Sequence, residues 1–378
     1  MKTIALAVQG AGAHGAFIWG VLDRLSRERD LRISAISATS SGALNAAVYL
    51  YGLASGGAEG AREALAEFWS TVAAHALWSG NPFVGISYFG ALRNIDSHPV
   101  SIWIQQFAVP ISPYNFPFLG DPLEAVATAV LRHPERLNHP DPPLFIGMTD
   151  VVNGRRAIAT QPNITIPTLL ASACLPANSR AVRIGESYYW DGGYMGNPPL
   201  APLVRMAREG GARDIVMATI NPFRRTDLMP PMTAPQIQDR LNEITFNSSL
   251  VLEVNGIETV NRLLRQHAQG SPFRARDNKP CREILFHRIS DDDFMRDLGF
   301  VSKANPGLPF LEELRDHGRR AAETWLRTGL DQVGRTSSFD VNEMLDRTLV
   351  AQAGTEPAPR LPLPVPMLPE IAPAKGFG

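Results

Sequence analysis

Cysteine is almost missing from this 378-residue sequence: Cys174 and Cys281 stand apart, with no CxxC pair and no Cys/His cluster at ligand spacing. A disulfide framework and a structural zinc site are thereby excluded as organising features, and a reducing compartment is expected. An excess of either charge is missing too, since 36 Lys and Arg face 37 Asp and Glu. Such a balance gives no attraction for a polyanion, so no nucleic-acid partner is expected. Long apolar runs are equally scarce. Residues 3–8 are cut off by Gln9 and the glycines behind it, short of the roughly 7 residues of a secretory signal core. No stretch reaches the roughly 18 apolar residues of a membrane span. The expectation is a soluble, cytoplasmic protein.

What is present is ample material for a core, with 44% hydrophobic residues. Residues 3–8 read as a buried strand, and Phe17, Ile18, Val21, Leu22 and Leu25 then recur at helical spacing. Ile33, Ala35, Ile36 and Ala38 read as a second strand, followed by helices through Leu44, Ala47, Val48 and Tyr51 and through Leu65, Phe68, Trp69 and Val72. Alternation of this kind implies a mainly parallel sheet covered by helices, an α/β fold. Residues 79–121, rich in Pro, Gly, Phe and Tyr, read as loops with short helices, and as a candidate lid.

Further strands are expected at 144–152, 157–160, 214–220 and 283–289, and a hairpin at 180–190 that ends in Asp191-Gly192-Gly193. A long helix should carry Ile237, Leu241, Ile244, Val251, Val254, Ile257 and Val260 on one face, and another should span 308–326. The domain is placed at 1–335, with core motifs over 3–220 and a helical extension over 221–335. Residues 336–378 form a C-terminal segment whose last twenty-four residues contain seven prolines, an extended tail.

Two segments after early strands carry the chemistry. Gly10-Ala11-Gly12-Ala13-His14-Gly15 satisfies GxGxxG at a strand-to-helix turn, which raises a dinucleotide reading and an NAD(P)-dependent oxidoreductase. That reading needs an acid at the end of the second strand, and the strand ends in Ser37-Ala38-Thr39-Ser40 instead. The second segment, Ala38-Thr39-Ser40-Ser41-Gly42, lies one residue from GxSxG, with Ala38 at the first glycine position. Register selects Ser40, because a Ser41 elbow would require glycine at position 43, which is Ala43. An ordinary N-cap serine is the competing reading. The two helix starts follow adjacent strands, so their N–H groups can converge and the glycine turn can supply an oxyanion hole facing Ser40. A triad Ser40, Asp191, His287 has the chain order of α/β-hydrolases, but the serine comes too early in the sheet for that fold.

The glycine turn after strand one, the serine elbow after strand two and the later Asp-Gly-Gly resemble the patatin-like phospholipase family. Ala171-Ser172-Ala173-Cys174-Leu175-Pro176 and Asn197-Pro198-Pro199 are similar to further segments of that family. The resemblance covers roughly 3–220 and implies a three-layer α/β/α sandwich that hydrolyses acyl esters of lipids with a Ser/Asp dyad. It makes Ser40 the nucleophile, Asp191 the base and Gly10, Ala11, Gly12 and Ala13 the oxyanion segment. His14, Gly15, Ser41, Gly42, Gly192 and Gly193 take supporting roles, His14 by orienting or contacting substrate. Ala11, His14 and Ala38 stand where the family usually has glycine, a basic residue and glycine. No metal or organic cofactor is implied. The partner is a lipid or other hydrophobic ester, with peripheral membrane contact weighed at Arg224-Arg225 against a solvated loop, which is favoured. A catalytically silent lipid-binding protein on the same fold is the other alternative. An aspartate serves as base here only in a dry pocket that raises its pKa.

Overall fold

The strands are β1 (Lys2–Val8), β2 (Leu31–Thr39), β3 (Leu144–Asp150), β4 (Arg155–Thr160), β5 (Val182–Ile184), β6 (Ser187–Asp191), β7 (Asp214–Ala218) and β8 (Leu285–Ile289). They form one eight-stranded mixed sheet in the order β5-β6-β3-β2-β1-β7-β8, with β4 on the other edge of β3. β3, β2, β1, β7 and β8 run parallel, while β4 and β6 run antiparallel to β3. The computed structural model describes residues 1–78, 95, 98, 101, 114, 121–139, 141–176, 179–224, 231, 233–267 and 282–345.

Alternation along β1 shows why the domain has three layers. Ile4, Leu6 and Val8 pack into a cluster with Phe17, Val21 and Leu22 of α1 (Ala16–Leu25), Leu44 and Val48 of α2 (Ser41–Trp78), and Leu311 and Leu314 of a C-terminal helix. Ala5 and Ala7 point to the opposite face, where they meet Leu200, Leu203, Met217, Leu250 and Val254. A strand buried on both faces reads as a continuous apolar run, which is what residues 3–8 are. Each fully buried Leu, Ile or Phe contributes about 1.5–3 kcal/mol, so the central strands anchor the domain.

The remaining helices are α3 (Pro122–Val130), α4 (Ile166–Ser172), α5 (Ala201–Arg208), α6 (Ala234–His267), α7 (Asp292–Arg296) and α8 (Leu308–Thr328). α2 is interrupted at Gly56 and Gly57, whose backbone angles are not helical, so it consists of the two helices expected there, joined at a kink. Capping explains two short helices. Asp121 accepts the Leu123 N–H ahead of α3, and Thr165 and Thr168 exchange bonds in a capping box ahead of α4.

α6 departs from the expected face. Ile237, Leu241, Ile244 and Val260 are exposed, whereas Asp239, Glu243, Asn247, Leu250, Val254 and Asn261 are buried. The reason is local: Asn247 bonds Gln9 and Pro222, and Asn261 bonds Ile284, so hydrogen bonds rather than apolar periodicity set the buried stripe. Met1–Leu345 forms one compact unit, with Phe339, Val341, Met344 and Leu345 in the second apolar cluster. The proline-rich tail, the Arg225 half of the arginine pair and nearly all of the candidate lid lie outside the described residues. Among the described residues no helix is long and apolar enough to cross a membrane.

Candidate active site

Topology brings Ser40 and Asp191 together. One edge of β3 is filled by β4, and the other is shared end to end by β2 and β6. Thr39 pairs with Gly147, and Asp191 pairs with the next residue, Met148. The chain leaving β2 therefore meets the end of β6, and Ser40 Oγ donates to Asp191 Oδ2 at 2.6 Å.

Ser40 stands at a sharp turn between β2 and α2. Its φ of 57° makes it the one non-glycine residue in the left-handed region among the described residues. That conformation costs roughly 1–2 kcal/mol for an L-residue with a Cβ, and persists only where its surroundings enforce it. They do so from both sides. The Ser40 N–H donates to Ser172 Oγ at 2.9 Å, and that hydroxyl donates to the Gly147 carbonyl at 2.7 Å. The Ser40 carbonyl accepts from Ala43 and Leu44 and so starts α2. A side chain at position 42 would place its Cβ 2.6 Å from the Gln9 carbonyl oxygen, so Gly42 lets the turn lie against β1.

Asp191 is fully buried, and its environment is asymmetric. Oδ1 accepts the Gly193 N–H at 2.7 Å, while Oδ2 takes the serine hydroxyl. Burial pushes its carboxyl up to about 7, against the lowering effect of the hydrogen bonds from Ser40 and Gly193. Its backbone is pinned by donation to the Cys174 carbonyl and acceptance from Thr149 Oγ1, both at 2.8 Å. Close backbone approach explains the glycine after it: a Cβ at Gly192 would sit 2.2 Å from the Gly147 carbonyl oxygen. Burial also raises the neighbouring Cys174 thiol, to about 12.

The glycine turn lies beside the elbow, since a Cβ at Gly10 would be 2.3 Å from the Thr39 carbonyl oxygen and 2.6 Å from Ser40 Cβ. Its four candidate oxyanion donors divide into two pairs. The Gly10 N–H already donates to Asn197 Oδ1 at 2.8 Å, and the Ala11 N–H to Ser41 Oγ at 3.0 Å. Gly12 and Ala13 donate to no described group, and Gly12 has the left-handed φ of 58° that turns the chain there. Asn197 also returns a bond from Nδ2 to the Gly10 carbonyl at 3.0 Å, clamping the turn.

His14 lies in the interior. It is 3% exposed, with Nε2 2.7 Å from Ser302 Oγ and its ring edge-on to Phe310. Burial, with the nearby Lys303 charge adding to it, holds the imidazole well below its ordinary value. The buried ring fastens the turn to residues 301–304. His287 is bound to Asp214 and Ser338, and His317 to Asp291, so neither completes a triad with Ser40. Ser172 and Asn197 lie inside the two segments that suggested the resemblance, yet only the folded geometry shows what each one holds.

A family model described as patatin-like phospholipase matches residues 6–204. This chain belongs to the patatin-like phospholipase family. The matched residues include the elbow, the glycine turn and Asp191, the three features that the sheet gathers at one place. Among solved structures it is similar to VipD from Legionella pneumophila, at 13% identity and a TM-score of 0.34, over 84% of this chain and 67% of that one. No curated protein matches.

Proposed function

We propose that this protein is a serine acyl hydrolase that cleaves lipid-like or other hydrophobic esters with Ser40 as nucleophile and Asp191 as base. The observation that carries the reading is the 2.6 Å bond from Ser40 Oγ to a fully buried carboxylate whose pKa is raised to about 7. An exposed aspartate near 4 is too weak a base for a serine, whereas one near 7 combines basicity with substantial ionisation at neutral pH.

In this mechanism the Ser40 proton passes to Asp191 Oδ2 as Oγ attacks the ester carbonyl. The Gly12 and Ala13 N–H groups receive the negative oxygen, and each such donor is worth about 3–4 kcal/mol in comparable sites. Collapse releases the alcohol with the proton from Asp191. Water, deprotonated by the same carboxylate, then hydrolyses the acyl-Ser40 ester. Family membership supports the lipid-like substrate class. The GxGxxG pattern is accounted for by its packing on the elbow, so no observation favours the nucleotide reading.

Hydrolysis of p-nitrophenyl esters of increasing chain length, by wild type and Ser40→Ala side by side, tests this. Turnover of the longer esters should fall by about 10⁴-fold or more in Ser40→Ala. Equal turnover by both proteins would remove Ser40 from the reaction.

A further inference from the structure

The opposite end of the sheet holds a second serine, histidine and aspartate in hydrogen-bonded series. His287, in β8, has Nε2 3.1 Å from Asp214 Oδ1 and Nδ1 2.7 Å from Ser338 Oγ. A carboxylate only accepts, so Nε2 carries a proton toward Asp214, and Nδ1 is the ring nitrogen that faces the Ser338 hydroxyl. The Ser338 N–H, which donates to the Phe286 carbonyl at 3.1 Å, also lies 3.3 Å from Nδ1 as a second, longer contact. Asp214 is held in turn by the Gly334 N–H at 2.7 Å. The arrangement is separate from the Ser40 site, since β8 lies three strands from β2 in the sheet order.

A clasp that only fastened residues 334–345 to the sheet edge would need no cavity beside its hydroxyl. Ser338 instead lines one of about 540 Å³, together with Arg320, Thr324, Trp325, Thr328 and Gln332. The indole Nε1 of Trp325 is buried without a hydrogen-bond partner, a costly state that a ligand oxygen would relieve. It lies close to the serine: a Cβ on Gly329 would be 2.6 Å from Trp325 Nε1 and 3.1 Å from Ser338 Oγ. The rim also carries Arg320, which is exposed and forms no ion pair with a described residue. Asp291, the acid of the lining, is bonded to His317.

We propose that Ser338, His287 and Asp214 form a second hydrolytic site, for small polar esters that carry a negative charge. Ser338 Oγ forms a bond to the acyl carbon as its proton moves to His287 Nδ1, and Trp325 Nε1 donates to the carbonyl oxygen as it becomes negative. The acyl–oxygen bond breaks and the alcohol leaves with the Nδ1 proton. Water then attacks the acyl-serine, giving its proton to Nδ1 and then to Ser338, and releases the acid. Arg320 supplies the preference for an anionic substrate.

The test uses the full-length Ser40→Ala protein, shown to be folded by its melting curve, treated with a small fluorophosphonate and mapped by peptide mass spectrometry. Label should appear on Ser338 and be slowed by about 100-fold or more in a further Asp214→Asn variant. The same Ser40→Ala protein should hydrolyse 4-nitrophenyl hemisuccinate faster than 4-nitrophenyl acetate, and Arg320→Gln should erase that preference. Ser338→Ala alone should leave Ser40-dependent turnover of long-chain esters unchanged. Absence of label on Ser338 in the folded Ser40→Ala protein, with no ester turnover sensitive to Ser338→Ala, would overturn the proposal whatever the fate of Ser40.

Discussion

Ser40 illustrates how a single residue carries opposed demands. Its left-handed backbone presents Oγ to Asp191, and any residue with a Cβ bears the strain of that turn. Ser40→Gly should therefore be more stable than Ser40→Ala by about 1 kcal/mol, because glycine adopts positive φ without penalty. Chemical denaturation of the two inactive variants measures this directly. Equal stability would mean that the elbow is unstrained. At this scale the sequence was legible wherever a motif states its own register: Ala38-Thr39-Ser40-Ser41-Gly42 selects Ser40, and Asp-Gly-Gly marks Asp191. The enclosure of His14 was not legible, because Ser302 and Phe310, which pack against it, come almost three hundred positions later.

At the scale of elements, close contacts between helices do what side-chain periodicity cannot reveal. α1 and α8 cross with backbones nearly touching: a Cβ at Gly318 would lie 1.9 Å from the Phe17 carbonyl oxygen, and one at Gly20 1.8 Å from that of Arg315. Gly318→Ala should thus lower stability by about 2 kcal/mol despite the better helix propensity of alanine. Gly256→Ala on α6 is the control, since its added methyl meets nothing within 4 Å and should stabilise by about 0.5–1 kcal/mol. Thermal melts of the pair check the contrast; a stabilised Gly318→Ala would show that the crossing can relax. The central strands and α8 were legible because continuous or periodic apolar runs encode them. α3 and α5 were not, being short helices of 9 and 8 residues that depend on proline near the N-terminus and on tertiary contact. The buried face of α6 was illegible for a different reason, because Asn247 and Asn261 point inward for hydrogen bonds that no apolar period records.

For the whole molecule, the sheet order is what converts scattered motifs into a site. Residues 10–15, 40 and 191 are far apart in the chain, yet β1 and β2 are neighbours and β2 and β6 abut along β3. Strand alternation made the parallel core readable, but the end-to-end sharing of the β3 edge has no signature in sequence, so the 2.6 Å contact between Ser40 and Asp191 emerges only from the fold. The central claim is that Asp191, with no histidine, activates Ser40. The most direct measurement is the rate at which a long-chain fluorophosphonate modifies the Ser40 peptide, followed from pH 5 to pH 9 in wild type and in Asp191→Asn. Only the carboxylate form accepts the serine proton, so modification should rise with pH through about 7, the raised value of Asp191, and level off above it. Asp191→Asn, if folded, should be about 10²–10⁴-fold slower at pH 8. A Ser40 modification rate that neither depends on pH nor falls in Asp191→Asn would contradict the account.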